Sequence, residues 1–453
     1  SRGVSLVEAG GRDGLGYRDT VQDILGVTHA VPDEARSRLE MMLTGQASTG
    51  GAMSLVKPLT HKPGSEKTPE MDHYRSDDHL WLPITTTNYL NETGDSDFLN
   101  KVLPYADHGQ DTVFGHLLQA LRFSLKYRGK NGLAMGLSAD WNDCIHFGLT
   151  GESVFTTFML VKALDLCADL ARRLGKKTDQ AWCLEQKTQV MKAIDEKAWD
   201  GDWYLHAVSE DGSTLGSSKH QEGSLSLNSQ TWAVYSGAAP ADKARASMDA
   251  VAERLASPYG ISLLQPPFTK PMKGFQLNLL VFPPGHKENG GIFCHANSWA
   301  IIAEALLGRG NIAYEYWKAY APAHYNDRAE LRQVEPYVYN QFTHAKNSPR
   351  FGQSRNPWLT GTASWSYIAL TQYILGIRPA ENGLEVDPCI PASWKGFKVR
   401  RKFRGKDLDI RVENPRGVEK GVKELRVNGK VVPGYLIPAE GLKESNDVVA
   451  VLG

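Results

Sequence analysis

The chain has little cysteine and no excess of charge of either sign. Its 453 residues include five cysteines, and 51 basic side chains balance 51 acidic ones. An odd number of scattered cysteines without a CxxC pair argues against a disulfide framework and a zinc site, and it favours the reducing cytoplasm. The zero net charge provides no field that would attract nucleic acid or an anionic membrane.

Long hydrophobic runs are also missing. No segment approaches the roughly 20 apolar residues of a transmembrane helix, and the N-terminus lacks the apolar core of a signal peptide. We therefore expect a protein that has no membrane partner. Because the first residue is Ser1 rather than Met, we also expect that the chain is a fragment, a processed product or one part of a longer protein.

Helical periodicity dominates the chain as far as about residue 377. Apolar residues three and four apart, such as Leu160, Leu164 and Cys167, predict one helix between Gly151 and Gly175. The same pattern predicts eight further helices: Pro32–Gln46, Asp78–Glu92, Gln110–Tyr127, Thr178–Ala198, Ala239–Ala256, His295–Leu307, Asn311–Tyr320 and Gly361–Gly376. Long loops rich in Gly, Pro, His and Asn connect them, and such loops in a compact domain are usually functional. This indicates an α/α toroid with a site at one rim.

The last part of the chain has the period of β-strands. Alternating residues, at Phe397 to Phe403 and at Leu408 to Val412, predict half-buried strands, and Asn428-Gly429 between two short apolar segments predicts a hairpin. The basic run 399–404 lies among acidic residues, so we interpret it as a solvated strand face rather than a polyanion site. We expect a helical catalytic domain over residues 1–380 and a small C-terminal β module over residues 381–453.

The segment Ser138-Ala139-Asp140-Trp141-Asn142-Asp143-Cys144 carries the clearest chemical pattern. It places two carboxyl groups beside an indole, and a carboxyl group against an apolar wall can act as a general acid over a sugar ring. The alternative is structural: Trp141 is then a core aromatic and Asp143 caps the helix that begins near Glu152.

A second polar motif spans residues 10–23 near the N-terminus. Its glycines allow close backbone approach, and Arg18 and Asp19 offer a donor beside an acceptor, which suits sugar hydroxyls. A structural ion pair between these two side chains is the alternative. The glycine spacing does not match a dinucleotide-binding loop, and no strand leads into it.

Three later segments also combine polar residues with helix starts. In the first, 283–297, His295 opens a helix whose N–H groups favour an anion, although a core histidine is equally compatible. In the second, Thr360 and Gly361 begin another helix, where they can bind a phosphate or simply cap the helix. The third, Glu335–Gln341, is an aromatic and amide cluster that suits both sugar recognition and packing.

Four motifs, GYRDTVQD, ADWNDC, KENGGIFCHAN and WLTGTASW, occur in an order and at separations that resemble the inverting disaccharide phosphorylases of glycoside hydrolase family 94. The resemblance covers Arg12 to the C-terminus. It implies an (α/α)6 barrel with a C-terminal β module, and commonly a homodimer. It also implies an N-terminal β-sandwich and a helical linker, which we expect to be missing from this chain. No cofactor is implied, because inorganic phosphate is a substrate, and no metal is implied either.

The resemblance also implies a role for each matching residue. Asp143 corresponds to the general acid, and Arg18, Asp19 and Trp141 correspond to positions that hold the sugar in subsite −1. The remaining positions correspond to the phosphate site (Arg12, His295, Thr360 and Gly361) and to sugar contacts (Lys287 and Gln341). Phosphate is itself the nucleophile, so no second carboxylate is needed as a base.

The expected reaction is therefore reversible phosphorolysis of a β-linked glucosyl disaccharide such as cellobiose, giving α-glucose 1-phosphate. Chitobiose, laminaribiose, cellodextrin and cellobionic acid are alternative substrates. An inverting hydrolase on the same barrel is the rival class of enzyme. It would need a water-activating base, for which Glu288 and Glu335 are the candidates.

Overall fold

A computed structural model describes residues 14–148 and 150–453. This part of the chain forms twelve α-helices followed by a region of β-sheet. The helices are α1 (Tyr17–Val27), α2 (Pro32–Leu43), α3 (Trp81–Thr93), α4 (Val113–Lys126), α5 (Val154–Arg173), α6 (Lys177–Lys197), α7 (Leu227–Tyr235), α8 (Ala241–Arg254), α9 (Cys294–Leu306), α10 (Gly310–Tyr320), α11 (Ala329–Arg332) and α12 (Thr362–Ile368). Within these residues no helix combines the length and apolar character needed to cross a lipid bilayer.

Six helices contact one another in a closed circular order. Helix α1 packs against α3, α3 against α5, α5 against α7, α7 against α9, α9 against α12, and α12 against α1. In α9 all residues from Cys294 to Ala305 are buried, whereas α6 buries only one face. A helix that is apolar on all sides needs neighbours all round, so these six helices form an inner ring. Helices α2, α4, α6, α8 and α10 each pack against a ring helix from outside.

Four tryptophans fill the interior of the ring. Trp81 of α3, Trp232 of α7, Trp299 of α9 and Trp365 of α12 are almost completely buried. Their contacting ring centroids lie 5.4–6.2 Å apart. Aromatic pairs at this separation stabilise a core beyond the burial of their area. We call these four residues the tryptophan cluster; it ties four of the six ring helices together.

All nine predicted helices are present, with ends that differ by a few residues. The predicted Asp78–Glu92 segment begins as a 3-10 turn, Asp78–Leu80, before α3. The predicted Gly361–Gly376 segment is α12 followed by a π-helical stretch, Ala369–Ile374. Two ring helices, α1 and α7, were not predicted. Further 3-10 helices are Met71–His73, Ser96–Asn100, Asn278–Val281 and Pro322–Arg328.

Short strands lie directly before four of the ring helices. Leu15–Gly16, Glu152–Ser153, Leu225–Ser226 and Ile292–Phe293 precede α1, α5, α7 and α9. The short strands form five pairs: Leu15–Gly16 with Leu55–Val56, Val102–Pro104 with Gln110–Thr112, Ile145–His146 with Gln276–Leu277, Leu225–Ser226 with Leu264–Gln265, and Ala256–Ser257 with Gly260–Ile261. They also form two triplets: Glu152–Ser153 with Ala207–Val208 and Thr214–Leu215, and Ile292–Phe293 with Asn340–Thr343 and Ser354–Pro357. They fix the loops that lead into the ring helices.

The C-terminal region contains two sheets. The first has the strand order Gly396–Phe403, Lys406–Glu413, Ser445–Leu452, Val422–Val427, Lys430–Val432, and only the second and third of these run parallel. The other consists of Ile377–Ala380, Gly383–Val386 and Leu436–Pro438. The predicted hairpin is confirmed: Val427 pairs with Lys430, and Asn428 and Gly429 both have positive φ, 51° and 78°.

The basic strand of this region is only partly a solvated face. Arg400 is 92% exposed and pairs with Asp409. The side chain of Arg401, by contrast, is only 15% exposed, and its guanidinium binds the carboxylate of Glu92 at 2.5 Å. Because Glu92 belongs to α3, this ion pair joins the C-terminal sheet to the helical ring.

Candidate active site

The loop that precedes α5 is held by one of the two acidic residues of the Asp-Trp-Asn-Asp segment. Asp140 is fully buried; its carboxylate accepts a hydrogen bond from the backbone N–H of Asn142 at 2.8 Å and from the hydroxyl of Ser153 at 2.8 Å. Short polar side chains commonly fix turns in this way. Asp140 therefore shapes the loop, and Asp143 is left facing the site with a side chain that is 49% exposed.

Arg18 of α1 connects this loop to the chain segment before α3. Its Nη1 donates to the carboxylate of Asp77 at 2.9 Å and to the backbone carbonyl of Asp140 at 3.0 Å. Its Nη2 donates to Asp143 Oδ1 at 2.6 Å. The Arg18 side chain is only 10% exposed, so it is a buried cation with three fixed partners.

A second cation reaches the same carboxyl oxygen. The Nε of Arg75 donates to Asp143 Oδ1, also at 2.6 Å. Burial alone would raise the pKa of Asp143, but the charges of Arg18 and Arg75 outweigh burial and lower the pKa of this carboxyl. Half of the Asp143 side chain is exposed to solvent, so burial acts on its pKa only in part. In the free protein Asp143 is thus held as a carboxylate.

Two further carboxyl groups lie behind Arg18. Burial raises the pKa of Asp77, and the charge of Arg18 and a 3.0 Å hydrogen bond from the Trp81 indole offset this effect in part. Burial and the neighbouring Asp77 raise the pKa of Asp78 well above its ordinary value. A buried acidic pair of this kind requires a nearby cation, and Arg18 and Arg75 both act on it.

Trp141 lies between the acidic loop and the start of α9. Its side chain is largely buried, and its ring contacts those of Phe293, His295 and Trp299 at centroid distances of 5.2, 5.1 and 4.9 Å. Most of the Trp141 surface is therefore packed in the core, as the structural alternative predicted. The same packing joins the loop that carries Asp143 to the start of α9.

Gln22 fixes the orientation of His295. Its Nε2 donates to the backbone carbonyl of Arg18 at 3.0 Å, so its Oε1 is left as the acceptor for both the indole N–H of Trp365 at 2.8 Å and His295 Nε2 at 3.0 Å. This bonding pattern assigns the proton of His295 to Nε2. Buried His295 is the second residue of α9, as the sequence predicted.

Thr360, Gly361 and Gln341 form a neighbouring group. Gly361 is the residue that caps α12, and the Thr360 hydroxyl accepts a hydrogen bond from the Thr362 N–H at 3.1 Å. The Thr362 hydroxyl in turn donates to the carbonyl of Asn340, which precedes Gln341. The strand that carries Gln341 pairs with the strand before His295. The structure therefore brings to one sheet the two helix starts that the sequence resemblance predicted as a phosphate site.

The loop around Lys287 and Glu288 faces the same region. Lys287 adopts a left-handed conformation, with φ of 42°, and its ammonium lies 4.8 Å from the ring of Phe282. Burial raises the pKa of Glu288, and the charges of Asp143 and Arg18 also act on it. Glu335, the other candidate base of a hydrolase, instead accepts a hydrogen bond from the exposed Trp358 indole.

Two predicted site residues need separate comment. Arg12 lies outside the described residues. Asp19 is half-buried in α1, and its carboxylate lies so close to Gly16 that a Cβ there would come within 2.5 Å of Oδ2. The described ion pairs of Arg18 involve Asp77 and Asp143. Among residues 14–148 and 150–453, no group of three or more His, Cys, Asp or Glu could hold a metal ion.

Sequence reasoning missed Arg75, Asp77 and Gln22. Arg75 and Asp77 belong to the segment before α3, and Gln22 lies within the N-terminal motif. Asp77 lies 59 residues from its partner Arg18, Arg75 lies 68 residues from Asp143, and Gln22 lies 273 residues from His295. The only sequence signal was the adjacent Asp77-Asp78 pair at a helix start, since two neighbouring carboxylates there need a cation when they are buried.

Comparison with known families agrees with this architecture. The sequence model of the glycosyl hydrolase 94 superfamily catalytic domain matches residues 1–376, and that of the glycosyl hydrolase family 65 C-terminal domain matches residues 377–432. The chain therefore belongs to the glycosyl hydrolase 94 superfamily, as the sequence motifs indicated.

Characterised relatives are longer than this chain. An N,N'-diacetylchitobiose phosphorylase of Vibrio proteolyticus is 42% identical over 473 residues, which cover 100% of this chain and 59% of the relative. A solabiose phosphorylase of Paenibacillus borealis is 35% identical over 438 residues, 96% of this chain and 56% of the relative. A cellobionic acid phosphorylase of Neurospora crassa is 31% identical, covering 92% and 53%.

Solved structures with low sequence identity share the fold. A GH78 family rhamnosidase of Bacillus sp. GL1 superposes with a TM-score of 0.57 at 13% identity, over 90% of this chain and 39% of that one. An uncharacterized conserved protein from Thermus thermophilus gives a TM-score of 0.53 at 14% identity, over 82% and 96%. These similarities concern the arrangement of helices alone.

Proposed function

We propose that the protein is an inverting disaccharide phosphorylase. With inorganic phosphate it cleaves a β-linked disaccharide and releases an α-sugar 1-phosphate and a free sugar. The observation that carries this proposal is the buried ring contact of Trp141, two residues before Asp143, with His295 at the start of α9. A single acidic group is thereby combined with a helix start that favours an anion.

In the proposed reaction, phosphate bound by Arg12, His295, Thr360 and Gly361 attacks the anomeric carbon from the α face. Asp143 donates a proton to the departing glycosidic oxygen. Arg18, Asp19 and Trp141 hold the sugar in subsite −1, and Lys287 and Gln341 contact the substrate. Phosphate needs no general base, because it is already an anion.

We propose two substrates for direct comparison. The sequence predicted cellobiose, from which inversion gives α-glucose 1-phosphate. Two Vibrio N,N'-diacetylchitobiose phosphorylases, 42% and 41% identical to this chain, favour N,N'-diacetylchitobiose instead. Each substrate should be incubated with and without phosphate, and the sugar phosphate identified. Release of free sugars without phosphate would support a hydrolase, for which Glu288 is the better placed base.

The role of Asp143 is tested by Asp143→Asn, with the exposed Asp409→Asn as a matched control. We expect Asp143→Asn to lose more than about 100-fold in kcat, in line with the contribution of general acid catalysis. It should unfold within a few degrees of the wild type, because half of its side chain faces solvent. Asp409→Asn should keep full activity. Substantial turnover by Asp143→Asn would refute the assignment.

The architecture and assembly form the second part of the proposal. The closed helical ring corresponds to an (α/α)6 barrel over residues 1–380, with a β module over residues 381–453. The circular helix contacts and the family-model boundary at 376/377 support this division. A homodimer in the cytoplasm, with an N-terminal β-sandwich contributed by a longer polypeptide, follows from the family resemblance. Light scattering of the purified protein tests the dimer.

A further inference from the structure

The two arginines that bind Asp143 differ in how firmly they are held. Arg18 uses both terminal nitrogens on three partners and is nearly buried. Arg75 uses only its Nε; among the described residues its two terminal nitrogens make no hydrogen bond, and its side chain is 33% exposed. Arg75 therefore keeps the N–H donors of both terminal nitrogens beside the carboxyl group, whereas three of the five N–H hydrogens of Arg18 are already engaged.

The backbone of Arg75 is anchored even though its side chain is not. Arg75 and Leu137 form an antiparallel bridge, and the N–H of Ser76 donates to the carbonyl of Ala139 at 3.0 Å. The hydroxyl of Ser138 donates to the carbonyl of Tyr74 at 2.7 Å. The backbone of Arg75 is thus fixed to the loop that carries Asp143, while its guanidinium can change position.

A wide cleft opens beside this bridge. Its volume is about 940 Å³, and its lining includes Asp72, Leu137, Ser138, His146 and Phe147. These residues flank Arg75 and Asp143 in the chain, and the cleft is large enough for a sugar. In the proposed reaction the departing sugar lies in this cleft and extends to the general acid, although Arg75 and Asp143 are not themselves part of the lining.

The geometry of the free protein opposes proton donation. Arg18 and Arg75 both place a positive charge 2.6 Å from one oxygen of Asp143. Other charged or titratable groups around Asp143 are Asp77 and Asp78 from the segment before α3, Cys144 from its own loop, and Lys287 and Glu288 from the opposite loop. A general acid must hold its proton until the bond breaks, so one of the two ion pairs has to open.

We propose that Arg75 is a movable positioning residue: a sugar in the cleft draws its guanidinium away from Asp143, which frees the carboxyl group to hold the proton that it gives to the departing oxygen. In the reverse reaction the return of Arg75 stabilises the carboxylate that has just accepted a proton from the incoming sugar hydroxyl and passed it to solvent. This inference rests on the proposed phosphorylase function.

The titration of Asp143 can be measured without turnover. The protein is labelled with ¹³C at aspartate Cγ, and the Asp143 signal is assigned as the one missing from Asp143→Asn. We expect a midpoint below that of an ordinary aspartate. Saturating glucose or N-acetylglucosamine should raise this midpoint by about one pH unit, the effect expected from the loss of one adjacent cation.

Two variants separate the charge of Arg75 from its structural role. In Arg75→Gln the midpoint should already be raised by about one pH unit without sugar, and sugar should add little. Arg75→Lys keeps the charge and should keep the low midpoint. Near-UV circular dichroism checks that both variants fold. If Arg75→Gln does not fold, the sugar titration of the wild type and the midpoint of Arg75→Lys still test the inference.

Kinetics supply the second readout. Phosphorolysis needs protonated Asp143 and synthesis needs the carboxylate, so in Arg75→Gln both pH profiles of kcat/KM should move upward by the same amount. The exposed Arg400→Gln should leave both profiles unchanged. A wild-type midpoint that neither sugar shifts, or an Arg75→Gln midpoint equal to that of the wild type, would overturn the inference. Absence of phosphate-dependent turnover in the wild type would instead refute the proposed function.

Discussion

Replacement of Arg18 by methionine should destabilise the protein strongly, and more so at high pH. The substitution removes the cation that binds the fully buried carboxylate of Asp77 and the half-exposed carboxylate of Asp143. Loss of one partner of a buried ion pair costs about 3–5 kcal/mol. The bond to Asp143 adds little, since solvent screens an exposed pair. We therefore expect a loss of about 3–5 kcal/mol in the free energy of unfolding.

The pH dependence follows from the buried carboxyl groups. Burial already raises the pKa of Asp77, and removal of Arg18 raises it further. A carboxyl group whose folded pKa lies above its unfolded value lowers stability as pH rises. The difference between Arg18→Met and the wild type should thus shrink as pH falls from 8 to about 5.

Urea denaturation at several pH values measures this effect. Arg36→Met is the matched control, because the Arg36 side chain is 38% exposed and pairs with Glu40 and Asp95 at the surface. It should cost at most about 1 kcal/mol at any pH. The reasoning fails if Arg18→Met is no less stable than Arg36→Met, or if its stability deficit does not depend on pH.

Three further predictions concern other parts of the fold. Trp365→Phe removes the N–H that fixes Gln22 and so loosens His295. The KM for phosphate should therefore rise about tenfold, equivalent to one lost hydrogen bond, while the KM for the disaccharide stays unchanged. An equal rise of both constants would contradict this. Burial raises the pKa of Glu304 to about 7, so stability should fall as pH rises from 5 to 7, and urea denaturation of Glu304→Gln should show a flatter profile. Gly429→Ala should cost about 1–2 kcal/mol in urea denaturation because φ is 78° while the space around the added Cβ is open; a larger loss would indicate a hidden clash.

Most helices could be predicted because their apolar residues repeat on one face. Of the two missed ring helices, α1 does carry this pattern, at Tyr17, Val21, Ile24 and Leu25, but it lies within the motif that we interpreted from its glycines and polar residues. Helix α7 lacks the pattern. In α7 the polar residues from Asn228 to Thr231 are all buried, and Gln230, for example, bonds both the N–H and the carbonyl of Tyr204. Partners supplied by a distant loop make such residues suitable for a core, and periodicity cannot reveal this.

Individual residues of the candidate site could be predicted from the sequence, but the contacts between them could not. The sequence indicated Asp143 and His295 separately, and it could not distinguish the structural role of Asp140 from the exposed position of Asp143. That difference depends on the hydroxyl of Ser153, which binds Asp140 only once the loop has folded. Arg75 was not among the predicted site residues, since nothing in the neighbouring sequence shows that Asp143, 68 residues further on, is its partner.

The tryptophan cluster gives the protein an optical signature of its own. Four buried indoles, each with its ring centroid about 6 Å or less from those of at least two others, occupy a fixed asymmetric environment. Near-UV circular dichroism disappears when such packing is lost. Trp81 and Trp365 of this cluster also donate the hydrogen bonds that fix Asp77 and Gln22. A spectrum in that region therefore reports on the closed ring and on the scaffold of the site at the same time.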